Sequence, residues 1–313
     1  MTGVQTCALP IWTSKNGSNI WFYVVLRKKS CRDYCSEVER AKSKLNVLLS
    51  KIFIYDEPSV PEIKLDSLAN FLHDFFRVPV IKRKNIFHEK SPDIAQSVAG
   101  TRVYNYRQEF HSHEPTNEEV QFELDSFVNS AKIENIVLYD GFELQKILRG
   151  LISDDESKSD ILHLVLTNKL TCTFDNSDYR YHGRALIASN PSIISTTGII
   201  EAPAKPREYY MELMSNYGVG LNIDSIKEKY KGSYLEYHDT RLEKIIQGYA
   251  LQAVFYYITG ESFCELLDCR LNNAHWQRDL LYSQLEFGRL CTKHEKIIND
   301  WLTLNYSKKM ALL

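Results

Sequence analysis

The sequence lacks most of the features that assign a chain to a class at a glance. No stretch of its 313 residues approaches the roughly 18 continuous apolar residues of a membrane helix, so no membrane partner is expected. Neither sign of charge predominates: the formal net charge is −2, which removes the general electrostatic reason to expect nucleic acid. There is no internal repeat and no low-complexity tract. The apolar piece Ile20–Leu26 is short for a signal peptide, and its basic residues follow it rather than precede it. Methionine is scarce, and after Met1 the next is Met211, so methionine marks no natural start.

What is present is ordinary for a soluble globular protein: 44% hydrophobic and 25% charged residues, in a chain long enough to bury a substantial core. Residues 1–11, MTGVQTCALPI, read as a translated short-read sequencing adapter and are set aside as an artefact together with Cys7. Residues 12–50 are an uncertain N-terminal extension. Its Cys31 and Cys35 stand at C-x3-C spacing without a second pair nearby.

An α/β pattern begins at residue 51. Lys51–Asp56 and Val78–Ile81 are compact apolar runs flanking a helical periodicity over Pro61–Phe76, a β-α-β opening that predicts parallel pairing. Residues 82–114 carry little periodicity. Helices are expected over Pro115–Lys132 and Gly141–Ile152, with a strand at Asn135–Tyr139 between them. Strands are expected at Ile161–Thr167, Tyr181–Ala188 and Pro191–Ile200, then a helix from Arg207 to Tyr217 and a loop over Tyr217–Leu221. Cys172 reads as a small buried apolar residue.

A long helix is expected over Asp239–Gly260, with Thr240 and Glu243 as a capping box and Gly260 as its stop. Its apolar residues occupy more than one face, as in a core helix. Beyond it stand Cys264 and Cys269 at C-x4-C spacing, then, after 21 intervening residues, Cys291 and His294 at C-x2-H spacing. Buried thiols are common in cores, but three thiols and an imidazole at chelating spacing suit a closed tetrahedral structural zinc site. Such a site would staple the segment 261–313 to the core and destabilise it when a ligand is lost. Clustered thiols without an export signal point to a reducing, cytoplasmic setting.

The order of elements and the cysteine spacing over residues 51–305 resemble the archaemetzincins, zinc peptidases with a metzincin fold. They resemble still more an archaeal family of metallopeptidase-like proteins. The resemblance implies a metzincin-like mixed, partly parallel sheet over 51–260, a long central helix, and a zinc-stapled C-terminal subdomain over 261–313. The archaemetzincin pattern is H-E-x-x-H-x-x-G-x-x-H-C, then x4-C, and later C-x-x-C. Anchored on Cys264, it places Gly260 on the pattern's glycine and Cys291 and His294 on the last pair, with histidine for the final cysteine. The three catalytic histidine positions hold Ala253, Tyr257 and Phe263, and the general-base position holds Val254. Ala, Val and Phe neither ligate a metal nor take a proton from water, so these positions read as packing.

By the same resemblance Ser192–Gly198 borders a cleft where an extended peptide adds to a sheet edge, although it also reads as an ordinary strand. The expected function is therefore a pseudo-peptidase that keeps structural zinc and binds an extended peptide or protein. The alternative is an active zinc-dependent hydrolase with a relocated metal, its candidate residues being His163, His182, His238 and Glu236. A third class, a zinc-finger-like binding module, is disfavoured for nucleic acid by the balanced charge. His275, beside Trp276 and between the two ligand pairs, reads as a packed or solvent-facing histidine, or as a reserve ligand.

Overall fold

The computed structural model describes residues 47–128, 136–217 and 223–311. The adapter-like residues 1–11, residues 12–46, residues 129–132 and 135, and the loop residues 218–221 lie outside them. The described elements are β1 (Lys51–Tyr55), α1 (Leu65–Phe76), β2 (Val80–Arg83), α2 (Pro92–Ala99), α3 (Asn117–Val128), β3 (Leu138–Asp140) and α4 (Gly141–Gly150). Then come β4 (Ile161–Thr167), β5 (Leu170–Asp175), β6 (Arg180–Gly183), β7 (Leu186–Ile187), β8 (Ser192–Ser195) and α5 (Thr196–Glu201). The chain closes with α6 (Arg207–Tyr217), α7 (Ile223–Lys229), α8 (Leu242–Thr259), α9 (Gln277–Leu281), a π-helical turn (Tyr282–Phe287) and α10 (Thr292–Ala311).

The main sheet has the order β2-β1-β4-β8-β7, parallel throughout except for the antiparallel edge strand β7. The run ILHLVLT of β4 is buried at every position, which parallel strands covered on both faces require. Alternate residues serve opposite faces. Ile52, Ile54, Leu162, Leu164 and Ile194 join one core with α1 and α8, while Phe53, Tyr55, Val165 and Ile193 join another with α2 and α4. The fold is thus mixed α/β with a partly parallel sheet and a cysteine–histidine cluster near its C-terminal end. A smaller sheet, β3-β5-β6, contains Cys172, fully buried as expected.

Helix α8 is apolar on all sides, and Ile245, Ile246, Ala250, Ala253, Val254 and Ile258 are fully buried. Gly260 ends it in the left-handed conformation at φ 78°, which only glycine adopts without strain. The helix starts later than expected, at Leu242, and the Thr240–Glu243 capping box does not form. Arg241 is the cap residue and makes no side-chain cap bond; Asp239 instead accepts from the Arg241 amide and guanidinium.

Two further expectations give way. The residues 82–114 include α2, which opens on Pro92 and buries only the small side chains of Ala95, Val98 and Ala99. The expected single strand Pro191–Ile200 is split. Ser195 Oγ accepts from Gly198 N and caps α5, while the Thr196 and Thr197 hydroxyls donate to the carbonyls of Thr167 and Asn168. The β-branched run turns helical because its hydroxyls are bound to the neighbouring β4–β5 turn. Ser192–Ser195 is paired on both sides, by β4 and β7, so it offers no free edge to a peptide.

A candidate metal centre

The segment after Gly260 doubles back on itself. Cys264 N donates to Leu271 O, and Cys264 forms a bridge with Asn272, which sets Cys264 and Cys269 side by side. Arg270 N donates to Arg289 O, which carries the chain towards Cys291 at the head of α10. Cys291 O accepts from Glu295 N in the first turn of that helix, so His294 lies one turn from Cys291 on the same side. The edge of the His294 ring meets the ring of Phe255 on α8, with centroids 5.6 Å apart and planes at 80°.

One ligand atom from each of Cys264, Cys269, Cys291 and His294 lies within 4.8 Å of every other. His294 Nδ1 is 3.1 Å from the Cys291 sulfur and 3.6 Å from the Cys269 sulfur. Metal–sulfur bonds of about 2.3 Å and metal–nitrogen bonds of about 2.0 Å in a tetrahedron put donors roughly 3.5–3.8 Å apart. The donor set therefore fits one ion. All four residues are at most 9% exposed, so nothing leaves a coordination position to water. Burial pushes the Cys269 thiol up to about 12, raises that of Cys264, and holds the His294 imidazole down at about 4 with Lys293 adding to the effect. Burial thus favours the neutral forms of Cys264, Cys269 and His294, and a dication held by all four residues would favour the thiolates instead.

Residues 48–301 match the family described as "Probable metallopeptidase family (DUF6775)". The chain belongs to this family. No curated protein and no solved structure matches it. The match begins at the residue before Leu49, which is fully buried and hydrogen-bonded to α10, so the family region includes the last residues of the segment 12–50.

The positions that the archaemetzincin resemblance gives to catalytic ligands join no group of metal-ligand types among the described residues. Ala253 and Val254 are fully buried in the core beneath the sheet. Tyr257 is half-buried, and its hydroxyl donates to Ser159 O. Phe263 is 36% exposed, so at this position the packing expectation fails.

The four candidates for a relocated centre do not converge. His163 is buried in β4, stacked on Phe53 and Tyr55 and bonded to Tyr55 Oη and Glu156 O. His238, in a left-handed conformation at φ 63°, reaches Glu62, while Glu236 is exposed nearby. Of these four, only His182 joins a group of ligand types among the described residues, with Asp175 and Asp178. Neither aspartate stands out in the sequence, because their approach to His182 depends on the β5–β6 pairing.

Proposed function

We propose that this member of the metallopeptidase family is a metzincin-type pseudo-peptidase, close to the archaemetzincins and to their archaeal relatives. Its metal is structural zinc, held by Cys264, Cys269, Cys291 and His294. The observation that carries the reading is the state of α8. Where the archaemetzincin pattern has two ligands and a base, Ala253 and Val254 are sealed in the core and Tyr257 is committed to a backbone carbonyl. A zinc-bound water has no holder there. The closed Cys3His set supports zinc with a folding role. The unpaired thiols support a reducing, cytoplasmic setting.

The partner is an extended peptide or protein segment rather than nucleic acid or membrane. The net charge of −2 gives nucleic acid no purchase, and no described helix is long and apolar enough to cross a membrane. With Ser192–Ser195 inside the sheet, the edge strand on that side is β7. The purified protein is expected to carry about one tightly held zinc per chain and to leave peptide libraries uncut. Chelator-sensitive hydrolysis would refute the pseudo-peptidase. Absence of metal with all thiols freely titratable would refute the zinc.

A further inference from the structure

The hairpin of β5 and β6 collects a second set of ligand types. Across it Thr173 pairs with His182 and Asp175 with Arg180. Cross-strand partners share a face, as do residues two apart, so Asp175, Arg180 and His182 project from one side of the hairpin. Asp178, in the turn, folds back over that side. One atom from each of Asp175, Asp178 and His182 lies within 4.8 Å of the others.

Their settings differ. Asp175 is 8% exposed, and one carboxylate oxygen accepts from the Ser177 amide at 2.8 Å, which fixes the group in the turn. The carboxylate of Asp178 meets His182 Nε2 at 2.9 and 3.0 Å and Arg180 Nε at 2.6 Å. Asp178 and His182 both reach solvent.

The C-terminal part of the chain carries one further histidine, His275, on a fixed segment. Ala204 N donates to His275 O and Gln277 N donates to Ala204 O, both at 2.8 Å. The buried Gln277 side chain donates to Ile199 O and Ile200 O and accepts from Leu235 N, so the segment carrying His275 is pinned. His275 itself is exposed on that segment and does not join the Asp175, Asp178 and His182 group.

We propose that Asp175, Asp178 and His182 form a second, open site for a divalent first-row transition metal. Two carboxylate oxygens and one imidazole nitrogen suit zinc, manganese or ferrous iron, unlike the thiolate-rich cluster after α8. Three protein ligands on a solvent-facing turn leave the remaining positions to water, the layout of open rather than closed sites. The arriving cation competes with the Arg180 guanidinium for Asp178. That competition separates a cation site from a plain surface ion pair, because an ion pair has no reason to bind metal better when its arginine is removed.

The test uses the full chain with its cysteine-site metal in place, titrated calorimetrically with Zn²⁺ or Mn²⁺ alone. One additional, readily chelated equivalent is expected. Asp178→Asn combined with His182→Ala should weaken it at least tenfold, with circular dichroism and cysteine-site metal content unchanged. Arg180→Ala should bind several-fold tighter than wild type. The site is refuted if no added equivalent binds to wild type or Arg180→Ala. It is equally refuted if the double substitution leaves binding unchanged, or if Arg180→Ala binds no tighter. Binding is read without substrate, so this outcome and that of the hydrolysis assay are independent.

Discussion

Two buried polar side chains show what single residues contribute. Glu123 is fully buried in α3, where burial alone would raise its pKa. The charge of Lys169, with hydrogen bonds from Lys169, Arg102 and Tyr139, outweighs that and holds the carboxyl below its usual range. Arg102 reaches it at 2.6 and 3.1 Å and Tyr139 Oη at 2.8 Å, while the Lys169 ammonium also lies over the rings of Tyr139, Phe87 and Phe127. Removing the anion strands two buried cations, so Glu123→Ala should cost about 3–5 kcal/mol in urea unfolding. A loss under about 1 kcal/mol would show the network to be solvated. His163 acts through pH. Its Nε2–H donates to Glu156 O, so Nδ1 accepts from the Tyr55 hydroxyl, and burial lowers the pKa from its ordinary 6.5. At pH 7 and above, folded and unfolded chains are both neutral at this site. As pH falls below about 6.5, the unfolded chain takes a proton that the folded site refuses, so stability drops until the lowered pKa is reached. Wild type should therefore lose more stability than His163→Gln between pH 7.5 and 5, and parallel losses would contradict the sign.

At the scale of elements, the π-helical turn packs tightly against α8 at Gly248. A Cβ on Gly248 would stand 1.6 Å from Oε1 of Gln284 and 2.5 Å from its Cδ, and that side chain is held by its bond to Arg270 O. Gly248→Ala should destabilise by about 1–3 kcal/mol, and most of that penalty should vanish in a chain that also carries Gln284→Ala. Strict additivity in the four-membered cycle would mean that the two elements do not touch. Such contacts are invisible to sequence periodicity, which explains what could and could not be read beforehand. The strands β1 and β4 and the end of α8 at Gly260 were legible because apolar runs and a stop glycine are local signals. The cysteine and histidine spacing was legible for the same reason. The short α2, the β8–α5 switch at Ser195 and the meeting of Asp175 and Asp178 with His182 were not. Each is decided by a partner distant in sequence or by a cap that overrides β propensity.

For the whole molecule, the question is whether the candidate metal centre belongs to an appendage or to the main core. Cys264, Cys269 and Cys291 are in the same buried cluster as Ile52 and Ile54 of β1, Leu164 of β4 and Phe255 of α8. Helix α10 closes that cluster. Its Trp301, fully buried, stands edge-on to Phe76 of α1 at 6.0 Å and donates to Val47 O. Asn305 exchanges hydrogen bonds of 3.1 Å with both the amide and the carbonyl of Leu49, just before β1. The last helix thus grips the start of the first strand, and the candidate ligands Cys264, Cys269 and Cys291 share one buried cluster with Leu49 and Trp301. A centre so placed is expected to stabilise the sheet as well as residues 261–311. Native-state hydrogen exchange provides the measurement, with amides of β4 reporting on the sheet and amides of Ile297–Trp301 on α10. On removing the metal with a chelator, or in His294→Ala, both sets should lose protection together, by several kcal/mol given the energies of structural zinc sites. If α10 opens while β4 keeps its protection, the C-terminal segment is an independent subdomain and the shared core does not couple them.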